Sequence, residues 1–113
     1  MSDDSTRDKI RALNDQLRRD PYGGHGRIVA TQSVSQRGSG FLAKALDAIA
    51  AFEAFTEDNN PYGENDFGSV DVDGVTLYFK IDYFDLEQRY HSEDASDAAK
   101  TTRVMTIMEP EDY

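Results

Sequence analysis

Residues 69–84 read SVDVDGVTLYFKIDYF, and the Asp73-Gly74 pair inside them decides the fold. A two-residue Asp-Gly between strand-forming runs favours a type I′ turn, because both central positions need positive φ. Hydrophobicity supplies a check on the register. With Val72 opposite Val75, Val70 falls opposite Leu77, and both pairs are apolar. The alternate face pairs Asp71 with Thr76 and Ser69 with Tyr78, residues suited to solvent or a rim. The same parity sends Phe79, Ile81 and Tyr83 into the core and leaves Tyr78, Lys80, Asp82 and Phe84 on the other side. The spacing predicts a hairpin.

Upstream, residues 41–55 (FLAKALDAIAAFEAF) carry the strongest helical pattern of the chain. Leu42, Ala45, Leu46, Ile49, Phe52 and Phe55 form a wide apolar stripe, with Lys44, Asp47 and Glu53 on the wet side. A narrower stripe of Ile10, Leu13 and Leu17 predicts a helix over 6–19, with Arg11, Asp15, Arg18 and Arg19 on its other faces. Ser5 and Asp8 resemble a weak capping box at its start. Asp20-Pro21 ends it, since a residue before proline avoids the helical region. The glycines of 22–26 form a turn, and RIVATQSV (27–34) is rich in strand formers. TRVMTIM (102–108) reads as a last strand after a polar surface connection over 86–100. The order α-β-α-β-β-β implies an α+β domain: a mainly antiparallel four-stranded sheet with two helices on one face. Residues 1–113 read as a single domain, with 1–5 and 109–113 expected to fray.

Composition narrows the function. The chain has 113 residues, a length suited to one domain with a real core. The absence of cysteine removes disulfides, thiolate zinc sites and cysteine nucleophiles. Twelve basic residues face 22 acidic ones, a net charge of −10, which disfavours direct binding to nucleic acid. The charge is uneven: residues 1–40 carry a balance of +2, and residues 41–113 a balance of −12. No apolar run approaches the roughly 18 residues that span a bilayer, and MSDDSTRDKIR lacks the apolar core of a secretory signal. A cytoplasmic protein without membrane contact is expected.

The segment TEDNNPYGENDFG (56–68), the strand ending in FKIDYFD and the closing TTRVMTIM…EDY together resemble a bacterial family, domain of unknown function 3768. Members of that family carry a FTEDNDPYGEHDFG-like loop, a KIDYYD-like strand and a TRVLTIM…EY segment. The resemblance runs from about Asn14-Asp15, through GRIVAT at 26–31, to Tyr113, which is most of the chain, and it implies no activity because the family is uncharacterised. Asn65 stands where a histidine is common in the family. A histidine acting there as base or ligand would have no counterpart in this chain.

The loop also admits a metal reading. Asp58, Asn60 and Gly63 match positions one, three and six of a calcium loop, but Tyr62 occupies position five and Ser69 position twelve, where a bidentate Glu should close the site. A looser divalent site would draw on Asp58, Asn60, Glu64 and Asp66. The plainer reading is a turn-forming segment after a helix, pinned to the domain by Tyr62 and Phe67. His25 and His91, the only histidines, lie in loops without an adjacent nucleophile. Lys80 and Asp82 share one strand face, where an ordinary surface ion pair is expected. YGGHGR lacks Walker spacing and no GxSxG occurs. No catalytic residue is assigned and no cofactor is expected beyond such a divalent cation.

The acidic surface carries the leading expectation. Glu57, Asp58, Glu64, Asp66, Asp71 and Asp73 occur with no intervening basic residue, and Asp82, Asp85, Glu87, Glu93, Asp94 and Asp97 follow, relieved by Arg89. Duplex DNA presents one charge per roughly 1.7 Å of axis, so fixed carboxylates could imitate part of a phosphate array. A soluble acidic face is the competing, ordinary explanation. The expected function is therefore that of a small non-enzymatic interaction protein. It would bind a basic protein surface through Glu57, Asp58, Glu64, Asp66, Asp71, Asp73, Asp82 and Asp85, with Tyr62, Tyr78, Tyr83 and Phe84 supplying contact area. Its concrete form is an inhibitor or DNA mimic acting on a nucleic-acid-binding defence or restriction machine. The alternatives are a carboxylate-based divalent-metal or hydrolytic site in the 56–68 loop, and self-association of the two unlike charge regions.

Overall fold

In the computed structural model, which describes residues 2–113, the hairpin forms in the register that its side chains dictate. In chain order the elements are α1 (Ser2–Arg19), β1 (Arg27–Ala30), α2 (Gln32–Ser35), α3 (Ser39–Ala51), β2 (Phe67–Val72), β3 (Val75–Phe84) and β4 (Thr102–Met108). Val72 pairs with Val75 and Val70 with Leu77, around a turn with φ of 52° at Asp73 and 83° at Gly74. Those two left-handed residues match the twist of the flanking strands, as a type I′ turn requires.

The fold is α+β with a four-stranded sheet, but the sheet is mixed. Its order is β1-β4-β3-β2, with β4 antiparallel to β3 and β1 parallel to β4. A parallel partner needs a long crossover, here nearly the whole chain between β1 and β4, which local alternation does not reveal. Among the described residues three α-helices stand where two were expected. The strand predicted over 27–34 stops at Ala30, where the ladder with β4 ends at Ile107. The chain then turns helically, which buries Val34 completely instead of leaving it on an unpaired edge. Ser5 is not a cap, because α1 already begins at Ser2.

The stripe predicted over 41–55 is cut short at Ala51. Phe52 leaves the helix with extended backbone (ψ 128°), yet its ring meets Phe79 at 5.5 Å and Phe55 at 4.8 Å, both edge-on. Both phenylalanines therefore reach the core from a loop. The core joins Leu17, Val34, Ala45, Leu46 and Ile49 of the helices to Val70, Val72, Leu77, Phe79, Ile81, Met105 and Ile107 of the sheet. Gly68 is required here: a Cβ would lie 2.5 Å from the Phe79 ring and 2.8 Å from Phe52.

Every sheet residue in that core has one parity, so the helices cover one face and leave the other open. The 109–113 tail, expected to fray, is instead tied down as a 3₁₀ turn. Asp112 accepts the hydroxyls of Thr31 (2.8 Å) and Ser33 (2.7 Å), which hold its carboxyl below the usual range together with the Glu109 N–H. Glu109 pairs with Arg37 at 3.2 Å, and Tyr113 folds onto the open face. Among the described residues no helix is long and apolar enough to cross a membrane.

Candidate interaction surface

On the helix side of the sheet, charged groups are consumed by the fold. Arg18, placed by periodicity on the wet side of α1, is fully buried. Its Nη1 donates to the carbonyls of Ile49 (2.9 Å) and Phe52 (2.6 Å) at the end of α3, and its Nη2 reaches Asp15 at 3.0 Å. The Ile49 carbonyl also accepts the Phe52 N–H at 3.2 Å, and the guanidinium adds to that cap and fastens the end of α3 to α1. Its guanidinium carbon also lies 5.2 Å from the centre of the Phe55 ring.

A second knot ties the 56–66 loop to the same helix. Fully buried Asn14 donates through Nδ2 to the Glu64 carbonyl (2.9 Å) and Tyr83 Oη (2.8 Å), and its Oδ1 accepts from Arg103 Nε at 2.9 Å. Tyr83 donates in turn to Glu64 Oε1 at 2.8 Å. Asn65 adopts φ 57°, which Asn tolerates, and donates to Asp15 at 3.1 Å while bonding Asn60. Arg11 donates to the Gly63 carbonyl at 3.1 Å. Burial raises the Tyr83 hydroxyl pKa above its ordinary value and lowers that of Arg103.

The open face differs in kind. Phe67 of β2 and Tyr78 of β3 meet at 5.2 Å, and Tyr113 completes a cluster at 5.8 and 5.9 Å from them. Beside it lies a groove of about 430 Å³, lined by Asp58, Asn59, Pro61, Tyr62, Asp66, Phe67, Lys80 and Tyr113. Tyr62 and Tyr113 remain about three-quarters exposed (75% and 74%), so Tyr62 does not pin the loop as expected. Phe67 does pack inward on this cluster. Burial, opposed by a backbone hydrogen bond at Asp66 and reinforced by the charges of Glu64 and Asp82, raises the Asp66 carboxyl above the ordinary range.

The predicted acidic residues therefore separate into two groups. Glu64 is held by Tyr83, and Asp73 at the hairpin tip pairs with Lys44 of α3 at 3.1 Å. Asp82 pairs with Lys80 at 3.3 Å, and Asp85 accepts the Arg89 backbone N–H. Glu57, Asp58, Asp66 and Asp71 have no ion-pair partner among the described residues. Asp58 and Asp66 share the groove, whereas Asp71 sits exposed on the edge strand, bonded by Thr76. Among the described residues no three His, Asp or Glu side chains converge to hold a metal ion. His91 stacks on Phe84 at 6.3 Å, and His25 lies 3.5 Å from Asp20.

These two regions, the knotted loop and the aromatic face, are built from the segments that the sequence singles out. A family model described as protein of unknown function (DUF3768) matches residues 30–112. The chain belongs to this family. The match takes in the loop, the hairpin, β4 and most of the tail, but starts after α1, whose Arg11, Asn14, Asp15 and Arg18 bind the loop. No curated protein and no solved structure matches the chain. Sequence reasoning missed Tyr113, whose signal was an aromatic residue ending an otherwise polar tail. It also missed Lys80 as a wall of the groove, although hairpin parity already set Lys80 beside Tyr78 on the open face.

Proposed function

We propose that the chain is a small, non-enzymatic interaction protein that takes a basic protein segment onto the open face of its sheet. The observation that carries this reading is the groove in which Tyr62, Phe67 and Tyr113 meet two carboxylates without ion-pair partners, Asp58 and Asp66. An arginine or lysine entering it would lay its methylenes on the rings and its charge against the carboxylates. A cation over an aromatic face adds about 0.5–2 kcal/mol, more as water is excluded. Asp71 and the Glu57 end of the loop would extend the acidic track on either side. In its concrete form the partner is a nucleic-acid-binding protein of a defence or restriction machine. The carboxylates then stand in the place of phosphates and the chain acts as an inhibitor.

Calorimetry against an arginine-rich peptide, and against a DNA-binding protein in competition with duplex DNA, tests this reading. Affinity should fall steeply between 50 and 200 mM salt, by roughly the tenfold or more that a multi-charge contact loses. Tyr62→Ala and Asp58→Asn should each weaken binding. Salt-independent affinity, or variants that bind like the parent, would remove the proposal.

A further inference from the structure

The sheet ends in two edge strands, β1 and β2, and they are not alike. β1 spans four residues before the chain bends into α2. β2 spans six, Phe67–Val72, in an unbroken ladder with β3. It carries no proline, lysine or bulge, the usual guards of a free edge. Its one charged side chain is Asp71.

The register fixes which backbone groups of β2 point outward. In a hairpin with a two-residue turn the flanking pair, here Val72 and Val75, exchanges both hydrogen bonds, and bonded pairs then recur at every second residue. The Ile81 N–H donates to the Asp66 carbonyl at 2.8 Å, on that same parity. Gly68, Val70 and Val72 therefore direct their N–H and C=O groups to β3. Phe67, Ser69 and Asp71 direct theirs away from it, and among the described residues no other group bonds to them. Ser69 and Asp71 are exposed. The side chains of all three lie on the open face, opposite the core parity of Val70 and Val72, and Phe67 is also a wall of the acidic groove.

We propose that β2 takes up an extended basic segment of another protein as a fifth, antiparallel strand. The proposal rests on the groove reading above and adds how the backbone of the segment is held. The outward N–H and C=O groups of Phe67, Ser69 and Asp71 hold the main chain, and the side chains beside them select the sequence. Residues two apart share a face, so one alternate set of the segment lies along Asp71, Ser69 and Phe67. A lysine or arginine suits the place opposite Asp71, which has no ion-pair partner among the described residues, and a β-branched or aromatic residue suits the place opposite Phe67. An antiparallel segment then runs on past Phe67, the end of β2 at which Asp58 and Asp66 line the groove, where a second basic residue belongs. A second copy of this chain does not meet these requirements. Antiparallel pairing about Ser69 would set each Asp71 opposite a Phe67, give neither carboxylate a cation, and join two chains of net charge −10.

Amide hydrogen exchange read by NMR on the full chain tests this. The probe is a capped peptide of alternating arginine and threonine, and the control is the same peptide with glutamine for arginine. At saturation the arginine peptide should slow exchange at Phe67, Ser69 and Asp71 by roughly tenfold or more, and leave Gly68 and Val70, already bonded to β3, as they were. The glutamine peptide should bind about tenfold or more weakly at low salt. Ser69→Pro removes an N–H that β3 does not use, so the hairpin should still form while affinity for the arginine peptide falls by about tenfold. Binding that moves only the groove residues Tyr62 and Tyr113, without protection along β2, would overturn the fifth strand and leave the groove reading standing. Protection that Tyr62→Ala does not weaken would instead remove the groove and keep the strand. Equal affinity for the two peptides, a Ser69→Pro protein that binds like the parent, or protection that grows with chain concentration in the absence of peptide would each overturn the assignment of this edge to a basic partner.

Discussion

The two faces of the sheet use charge in opposite ways. On the helix face, Arg18, Arg103, Asp15 and Glu64 are bonded to named partners and buried or half-buried. On the open face and its rim, Asp58 and Asp66 lack ion-pair partners in a groove lined by aromatic rings, and Asp71 lacks one on the edge strand. Charge at the first face holds the molecule together; charge at the second costs folding free energy or contributes nothing to it. Groups retained without structural benefit are the ones to examine for binding.

The contrast is broken most directly at Arg18. Arg18→Ala should cost about 3 kcal/mol or more in urea unfolding, because it strands the Phe52 carbonyl, removes the buried ion pair with Asp15 and empties a fully buried site. A loss below about 1 kcal/mol would mean that apolar packing alone joins α1 to α3. Asn14→Ala comes next, at about 2 kcal/mol, because it leaves the Arg103 Nε and the Glu64 carbonyl without their partner.

On the open face the sign reverses. The folded-state pKa of Asp66 is raised, so its ionised form opposes folding above that pKa and the penalty vanishes as pH falls through it. Asp66→Asn should therefore raise the thermal midpoint at pH 7, and the gain should shrink towards pH 4. A midpoint lowered at both pH values would place Asp66 with the structural carboxylates. The smallest effect belongs to Asp58→Asn and Asp71→Asn, within about 0.5 kcal/mol in stability. These two variants should show instead a reduced salt slope in peptide binding.

Legibility followed the distance over which each interaction acts. The hairpin could be read because its turn and its side-chain alternation are properties of neighbouring residues. Arg18 could not, since its acceptors are carbonyls more than 30 residues away, and a charged residue on a helix otherwise signifies solvent. The parallel pairing of β1 with β4 was hidden for the same reason. In the acidic loop the residue types were visible but not their division. Glu64 and Asp73 are taken by Tyr83 and Lys44, which approach only in the folded chain. The aromatic groove was half visible, as Tyr62 and Tyr78, and became a groove when the tail delivered Tyr113.

The position of β4 has a consequence for biosynthesis. It is the last strand in the sequence and an inner strand of the sheet. As the chain emerges from the ribosome, Arg27 is translated long before Val104, its neighbour in the ladder, so β1 waits without a sheet to join. The hairpin of β2 and β3 forms early, and the long-range closure comes at the end, when its entropic cost is greatest. A nascent chain halted before residue 102 would expose the flank of β3 that β4 later covers, along with the underside of α3. Such an intermediate is prone to pair with other chains and calls for chaperone cover. Insertion of β4 between β1 and β3 converts two separate pieces into one sheet.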